Sequence, residues 1–346
     1  MRKGILKEAL FFSMTWDYLN VFLPMQHQDS TKTAKAYKDG LTVFRRYVTD
    51  VRSISMERFR FEDLTYDFVL DYRVHLVEKG YKANTVNHRL AVLSAYMKYA
   101  AARRTELYQI YLNISEVPYV TVPSRIREII EEKDTIRKLL SVPGSSEKGI
   151  RDQMILVLLY DTAIRADELI KLDLSDVNVT ADEPFIRVHG KGDKERIIAI
   201  SEKVVPLVKQ YIPLFHKDLR NQSKPFIYTI LKGNISRMSE RNVERIVKKY
   251  ADIVRKDHPD LPPSVYPHMF RRTRGTGLYR DGVSIEAIAV AMGHASTQTT
   301  KDHYAFPSLE QKKAVMEQGD GLVISKSEKR EWPDNEDEIA RLCGLR

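Results

Sequence analysis

Residues 267–306 read PHMFRRTRGTGLYRDGVSIEAIAVAMGHASTQTTKDHYAF, and they carry His268, Arg271, His294 and Tyr304. His268 and Arg271 are three residues apart, which puts them on one face of a helix. An arginine fork binds two oxygens of a phosphate at once, and a histidine beside it can give or take a proton near neutral pH. Tyrosine becomes a covalent nucleophile when cations activate its target. Taken singly, each feature has a plain reading: a solvated helix face, a glycine cap, one of eighteen tyrosines in a core. Their succession within one stretch is what points to attack on a phosphate ester.

The elements that must hold these groups are legible around them. Ser284 reads as the N-cap of a helix over Ile285–Met292, with Gly293 at its C-terminal cap, so His294 emerges at a helix end. Tyr304 follows the polar residues 296–300, which predict a segment free to move. Upstream, residues 148–160 predict a helix buried on most sides. It runs into Asp161-Thr162-Ala163-Ile164-Arg165-Ala166-Asp167-Glu168-Leu169. An arginine at the end of a buried helix needs an anionic partner, either Glu168 or a ligand. Two predicted strands, residues 185–189 and 196–200, flank Gly190-Lys191-Gly192-Asp193-Lys194, a glycine-rich tip that carries cations.

HMFR, then Gly-His, then Tyr, resembles the C-terminal signature of the tyrosine recombinase (phage integrase) family. TAIRADEL resembles that family's TGLRxSEL box, and GKGDKER resembles its β-hairpin. The resemblance covers residues 30–318. It implies an Arg165–Arg271 clamp, with Glu168 as the acidic group that buttresses Arg165. It implies Lys191 as general acid, with Lys194 its nearest rival. His268 and His294 then support the phosphate, and Tyr304 is the nucleophile. The implied product is a 3′-phosphotyrosyl link and a free 5′-hydroxyl, resealed by a second DNA end without ATP. Two departures stand out. The turn glycine of the family box is Ala163 here, and alanine adopts a positive φ poorly. Tyr304 falls four residues after Thr300 where the family pattern has three; this reads as a one-residue insertion, with His303 in the usual place.

The composition agrees. A formal charge of +9 favours an anionic partner, with nucleic acid first. One cysteine, Cys343, rules out an internal disulfide framework and fits a reducing cytoplasm. The apolar patch around residues 10–14 is too short to span a membrane. No carboxylate cluster has metal-ligand spacing, so the chemistry is expected to need neither metal nor other cofactor.

Residues 1–117 predict a helical domain: helical periodicity recurs over residues 5–23, 31–47, 64–78 and 83–103. Lys82, Asn84, Thr85, Asn87, His88 and Arg89 cluster at the start of the last of these helices, where amides and short polar side chains suit phosphate and base edges. A capped, solvated helix end is the plain alternative. Residues 118–131, with Pro118 and Pro123, read as a linker. Residues 132–318 read as the catalytic domain. Its helix capped by Ser239 shows an outer face with Arg241 and Arg245, expected either to meet DNA or to remain solvated. Ser201 is expected to cap another helix. Residues 319–346 form a charged tail ending in an amphipathic helix.

The expected fold is therefore mainly α with a small β-sheet. By resemblance, it is a helical core-binding bundle followed by a catalytic domain, closing as a C-shaped clamp on double-stranded DNA. The same resemblance implies a homo-tetramer assembled on DNA, with accessory or second recombinase proteins as further partners. The competing readings are a type IB topoisomerase-like enzyme and a DNA-binding accessory protein that no longer cuts.

Overall fold

A computed structural model describes residues 10–26, 31–123, 128–190, 195–217, 223–293, 296–305, 313 and 335–345. The chain divides into two compact units, one of residues 1–126 with 190–194 and one of residues 127–189 with 195–346. No helix among the described residues is long and apolar enough to cross a membrane.

The first unit is helical. Residues 11–26 form an irregular run of short helical turns. Four regular helices follow: α1 (Thr31–Arg46), α2 (Tyr66–Glu78), α3 (Ala83–Ala101) and α4 (Tyr108–Ser115). Thr65 starts α2 by accepting the Phe68 amide on its hydroxyl. The core is aromatic: Phe11, Phe44, Phe59, Phe61, Tyr72 and Tyr96 are all fully buried. Rings such as Phe44 and Tyr72 meet edge to face at 5.1 Å between centroids, a favoured geometry.

The second unit begins with α5 (Lys133–Ser141) and α6 (Glu147–Asp161). The very short α7 (Ala166–Leu169) comes next, and then a three-stranded antiparallel sheet: β1 (Val177–Asn178), β2 (Phe185–His189) and β3 (Glu195–Ala199). Phe185 pairs with Ala199 and His189 with Glu195, so β3 starts one residue earlier than the sequence predicts. Helix α8 (Val205–Phe215) leads to a second hairpin, β4 (Tyr228–Leu231) with β5 (Asn234–Arg237). Then come α9 (Glu240–Val254), α10 (Pro267–Arg280), α11 (Ile285–Met292) and α12 (Thr297–Tyr304), with α13 (Glu336–Leu342) near the end.

One expectation needs correction. Ser201 does not cap α8: that helix starts four residues later, after a cap at Val204 with no side-chain bond, and the Ser201 amide donates to Asp161 at 3.0 Å instead. The β4–β5 hairpin carries none of the common two-residue turn pairs. Its turn residues, Lys232 and Gly233, both have positive φ, 50° and 82°, the conformation a tight hairpin requires. The polar stretch ahead of Tyr304 is helical over residues 297–304. Ser296 accepts the Gln298 amide at its start, and Thr300 and Tyr304, four apart on one face, are both buried.

A main core unites α5, α6, α9, the first turns of α10 and the sheet. Beside it sits a smaller apolar cluster of Ala163, Ile288, Met292 and Tyr304, flanked by Leu278, Tyr279 and Val283. That satellite cluster seats the site.

Candidate active site

The turn after α6 is built on strain. Thr162 closes the helix by donating its hydroxyl to the Leu158 carbonyl. Ala163 then takes φ 51°, the left-handed region that glycine would adopt freely. Alanine therefore accepts the strain that its place in the family box foreshadows. Left-handed backbone costs about 1–2 kcal/mol for a residue with a Cβ. Against this, the buried methyl contributes about 0.8 kcal/mol, and glycine would lose about 0.5–1 kcal/mol more backbone entropy on folding. These terms nearly cancel. Ala163→Gly is therefore expected to leave stability within about 1 kcal/mol, a shift under ~4 °C in thermal melting; a larger shift either way would show that one term dominates.

Ala163's carbonyl meets Arg271. This arginine, on α10 behind the helix-starting Pro267, is only 1 % exposed. Its Nη1 donates to the Ala163 carbonyl at 2.6 Å, its Nη2 to the Met292 carbonyl at 2.6 Å, and its Nε to the Tyr304 hydroxyl at 3.2 Å. One rigid fork thereby ties the α6 turn, the end of α11 and the end of α12 together. Burial draws the Arg271 guanidinium below the ordinary arginine value; Tyr304 opposes that shift, and repulsion from Arg165 adds to it. Tyr304 itself is 1 % exposed, its ring held in the satellite cluster. The four-residue spacing from Thr300 is absorbed by α12, which brings residues i and i+4 to one face.

Arg165 stands at the N-terminal cap of α7 and remains 37 % exposed at its side chain. Glu168, buried, accepts from the Arg165 amide at 3.0 Å and from its Nη1 at 3.0 Å, completing a capping box. A third arginine enters from β3: Arg196 donates Nη1 to Glu168 Oε1 at 3.0 Å and Nη2 to Oε2 at 2.8 Å. Burial alone would raise the Glu168 carboxyl, but the hydrogen bonds from Arg196 and the Arg165 amide hold it below the ordinary glutamate value. It is an anion that fixes two cations.

His268 is exposed in the first turn of α10 and shares an open hollow with Arg165, Asp167, Glu240, Glu244 and Tyr266. Lys191, Lys194 and His294 lie outside the described residues.

The predicted nucleic-acid contacts fall as follows. Lys82, Asn84 and His88 are exposed around the start of α3, with Thr85 half-buried. Asn87 is bonded within its own unit: its carboxamide donates to the Val120 carbonyl and accepts the Val120 amide, both at 2.8 Å. The Arg89 guanidinium lies 4.7 Å above the Tyr81 ring. Arg241 and Arg245 are exposed on α9, and Arg245 bonds Asn242 one turn away.

Sequence reasoning missed two residues at this site. Arg196 has the parity of the buried Ile198 in β3, an inward signal of period two. Gly275 lies inside α10, where glycine costs about 1 kcal/mol relative to alanine. A Cβ there would lie 2.8 Å from Tyr304 Cγ and 2.9 Å from Met292 Cε.

Comparison with known proteins agrees with this architecture. The model of the phage integrase family matches residues 131–310, and that of the phage integrase SAM-like domain matches residues 13–113. Tyrosine recombinase XerC of Thermodesulfovibrio yellowstonii is 28 % identical over 291 residues, 82 % of this chain and 89 % of that protein. Tyrosine recombinase XerD of Staphylococcus epidermidis is 24 % identical over 286 residues, 82 % of this chain and 91 % of that protein. Among solved structures, the XerH site-specific recombinase bound to its difH substrate after cleavage superposes with TM-score 0.63 at 18 % identity, covering 82 % of this chain and 79 % of that one. A λ integrase dimer bound to a core site gives TM-score 0.60 at 16 % identity, covering 94 % and 99 %.

Proposed function

This chain belongs to the phage integrase family, and from that premise we propose that it is a site-specific recombinase that cuts and rejoins duplex DNA through Tyr304. The observation that carries the reading is the 3.2 Å hydrogen bond from Arg271 to the Tyr304 hydroxyl. A phosphate held by this arginine would lie beside the atom that must attack it.

Phosphodiester transfer needs a nucleophile in line, charge neutralised on the non-bridging oxygens, and a proton for the departing oxygen. The Tyr304 oxygen bonds to phosphorus and gives up its proton. The bond from phosphorus to the 5′-oxygen breaks, and that oxygen takes a proton. Arg165 and Arg271 clamp the two non-bridging oxygens, and Glu168 holds Arg165 for the task. His268 serves as hydrogen-bond donor or acid–base group. Lys191 is assigned as general acid to the 5′-oxygen, and His294 as the group that orients phosphate or nucleophile. The 3′-phosphotyrosyl bond conserves the phosphodiester energy, so a second 5′-hydroxyl can reverse the step.

The same reading gives residues 1–117 the role of a core-binding domain, residues 118–131 that of a linker, and residues 132–318 the catalytic role. Lys82, Asn84, Thr85, His88 and Arg89, with Arg241 and Arg245, would contact DNA. Asn87 would act through the backbone at Val120. Assembly as a tetramer on DNA, with the residue 319–346 tail docking on its own or a neighbouring protomer, and work in the cytoplasm belong to this reading. So do integration, excision, transposition or resolution as its outcome, and accessory proteins as partners.

The test uses nicked duplexes from the DNA flanking the gene, which trap the cleaved state because the nick prevents religation. Incubated in EDTA, the wild-type protein is expected to form a covalent adduct at one position, with a free 5′-hydroxyl opposite. Tight binding without any adduct on any fragment would instead support a non-cutting DNA-binding protein.

A further inference from the structure

We propose that Arg196 is a positioning residue for strand cleavage: by saturating Glu168 it keeps Arg165 turned toward the phosphate. The inference rests on the reading of Arg165 as part of the phosphate clamp.

Glu168 is 6 % exposed and accepts four hydrogen bonds, two from Arg165 and two from Arg196. Four is what a carboxylate's lone pairs accommodate, so the group has no acceptor capacity left to reorganise. Arg196 takes one N–H on each carboxylate oxygen, the bidentate geometry that fixes a carboxylate most firmly. This limits Arg165 to a single side-chain bond with Glu168. The other guanidinium N–H groups of Arg165 make no hydrogen bond among the described residues, and its side chain stays partly exposed. Remove Arg196, and Glu168 becomes a buried anion short of two donors. The nearest replacement fork is Arg165, which would rotate to pair with both carboxylate oxygens and withdraw from the phosphate.

A second contact of Arg196 supports the same role. A Cβ on Gly293 would fall 2.7 Å from Arg196 Cδ and 2.7 Å from its Nε. The absence of a side chain at residue 293 thus makes room for Arg196 beneath the turn that ends α11. The preceding carbonyl, Met292, accepts from Arg271. Arg196 thus packs against Gly293 while Arg271 bonds the carbonyl just before it, and a side chain at 293 would displace Arg196 besides straining a backbone held at φ 63°.

The experiment compares cleavage of two nicked duplexes carrying the mapped crossover site. One has the ordinary phosphate, and the other has a neutral methylphosphonate at the scissile position. A clamp arginine matters only while the phosphate is charged. Arg196→Met is expected to slow cleavage of ordinary DNA by about 10–100-fold, the scale of a displacement of about 1 Å, and to slow methylphosphonate cleavage by under about threefold. Arg196→Lys, which keeps one donor, is expected to fall between, and provides a folded variant if the methionine form is unstable. Gly293→Ala is expected to share the pattern of Arg196→Met. Arg165→Ala on both substrates is the control. If Arg165→Ala is relieved by methylphosphonate while both Arg196 variants lose equally on the two duplexes, the inference is overturned alone. If Arg165→Ala also loses equally on both, the clamp reading falls and the inference with it.

Discussion

Arg271→Lys is expected to slow strand cleavage by about 10²–10³-fold, the cost of losing a preorganised donor at a developing anion. Lysine keeps the charge and loses the fork. Arg271 joins the Ala163 and Met292 carbonyls and the Tyr304 hydroxyl, which lie in three different segments, through three separate nitrogens. One ammonium nitrogen cannot span them. The carbonyls left unmet belong to the buried residues Ala163 and Met292, and each unsatisfied group costs about 1–3 kcal/mol. The second unit should therefore also melt several degrees lower, at ~2–4 °C per kcal/mol. Cleavage of the nicked duplex at saturating protein, run beside a thermal melt, separates the two effects. A variant that cleaves within about threefold of wild type would show that the fork does not place the phosphate.

Gly275→Ala is expected to impair cleavage nearly as much while leaving DNA affinity close to wild type. The added methyl would lie 2.8 Å from Tyr304 Cγ and 2.9 Å from its Cδ1, inside any real carbon–carbon contact. The ring, packed on Met292, Ile288 and Ala163, is a stiff neighbour and must move as a whole. Overpacking of this kind costs about 1–3 kcal/mol. A nucleophile displaced by about 1 Å loses on the order of 10²-fold in rate. Gly277, two residues on, has nothing within reach of a Cβ, so Gly277→Ala is the control expected to cleave normally. Gel-shift affinity and adduct formation, measured on both variants, decide it. Equal cleavage by the two would mean that the Tyr304 seat is not tight.

These expectations rest on features of unequal legibility. Helices with long apolar stripes and side-chain caps announced themselves: Ser239 and Ser284 both accept the amides that the cap rule assigns them. The family boxes located Arg165, Glu168, Arg271 and Tyr304, and these meet around one turn. The partner of the Arg165 charge was also legible, because Glu168 lies three residues away and completes a capping box.

What escaped the sequence depends on contacts between segments far apart in the chain. Nothing local shows that the Ala163 carbonyl lies opposite Arg271, 108 residues later. Nor does it show that Asn87 is bonded to Val120, 33 residues on, where its type and place suggested a base contact. Arg196 was given no role beyond opening a predicted strand; only the pairing of β2 with β3 turns it inward beside Ile198. The helix before Tyr304 was not legible because its sequence is polar, with Thr300 and Tyr304 the buried residues among those described. The Ala163 substitution was visible, but whether the turn would change or the backbone would strain was settled only by its φ of 51°.

The most direct test of the account is to locate the covalent bond. The trapped adduct would be digested with nuclease and trypsin, and the nucleotide-bearing peptide sequenced by mass spectrometry. Cleavage after Lys301 and Lys312 releases DHYAFPSLEQK, which holds a single tyrosine, Tyr304. The account predicts a nucleotide 3′-phosphate on that residue and no adduct from Tyr304→Phe. A nucleotide on any of the chain's other tyrosines, or an adduct that persists in Tyr304→Phe, would contradict it.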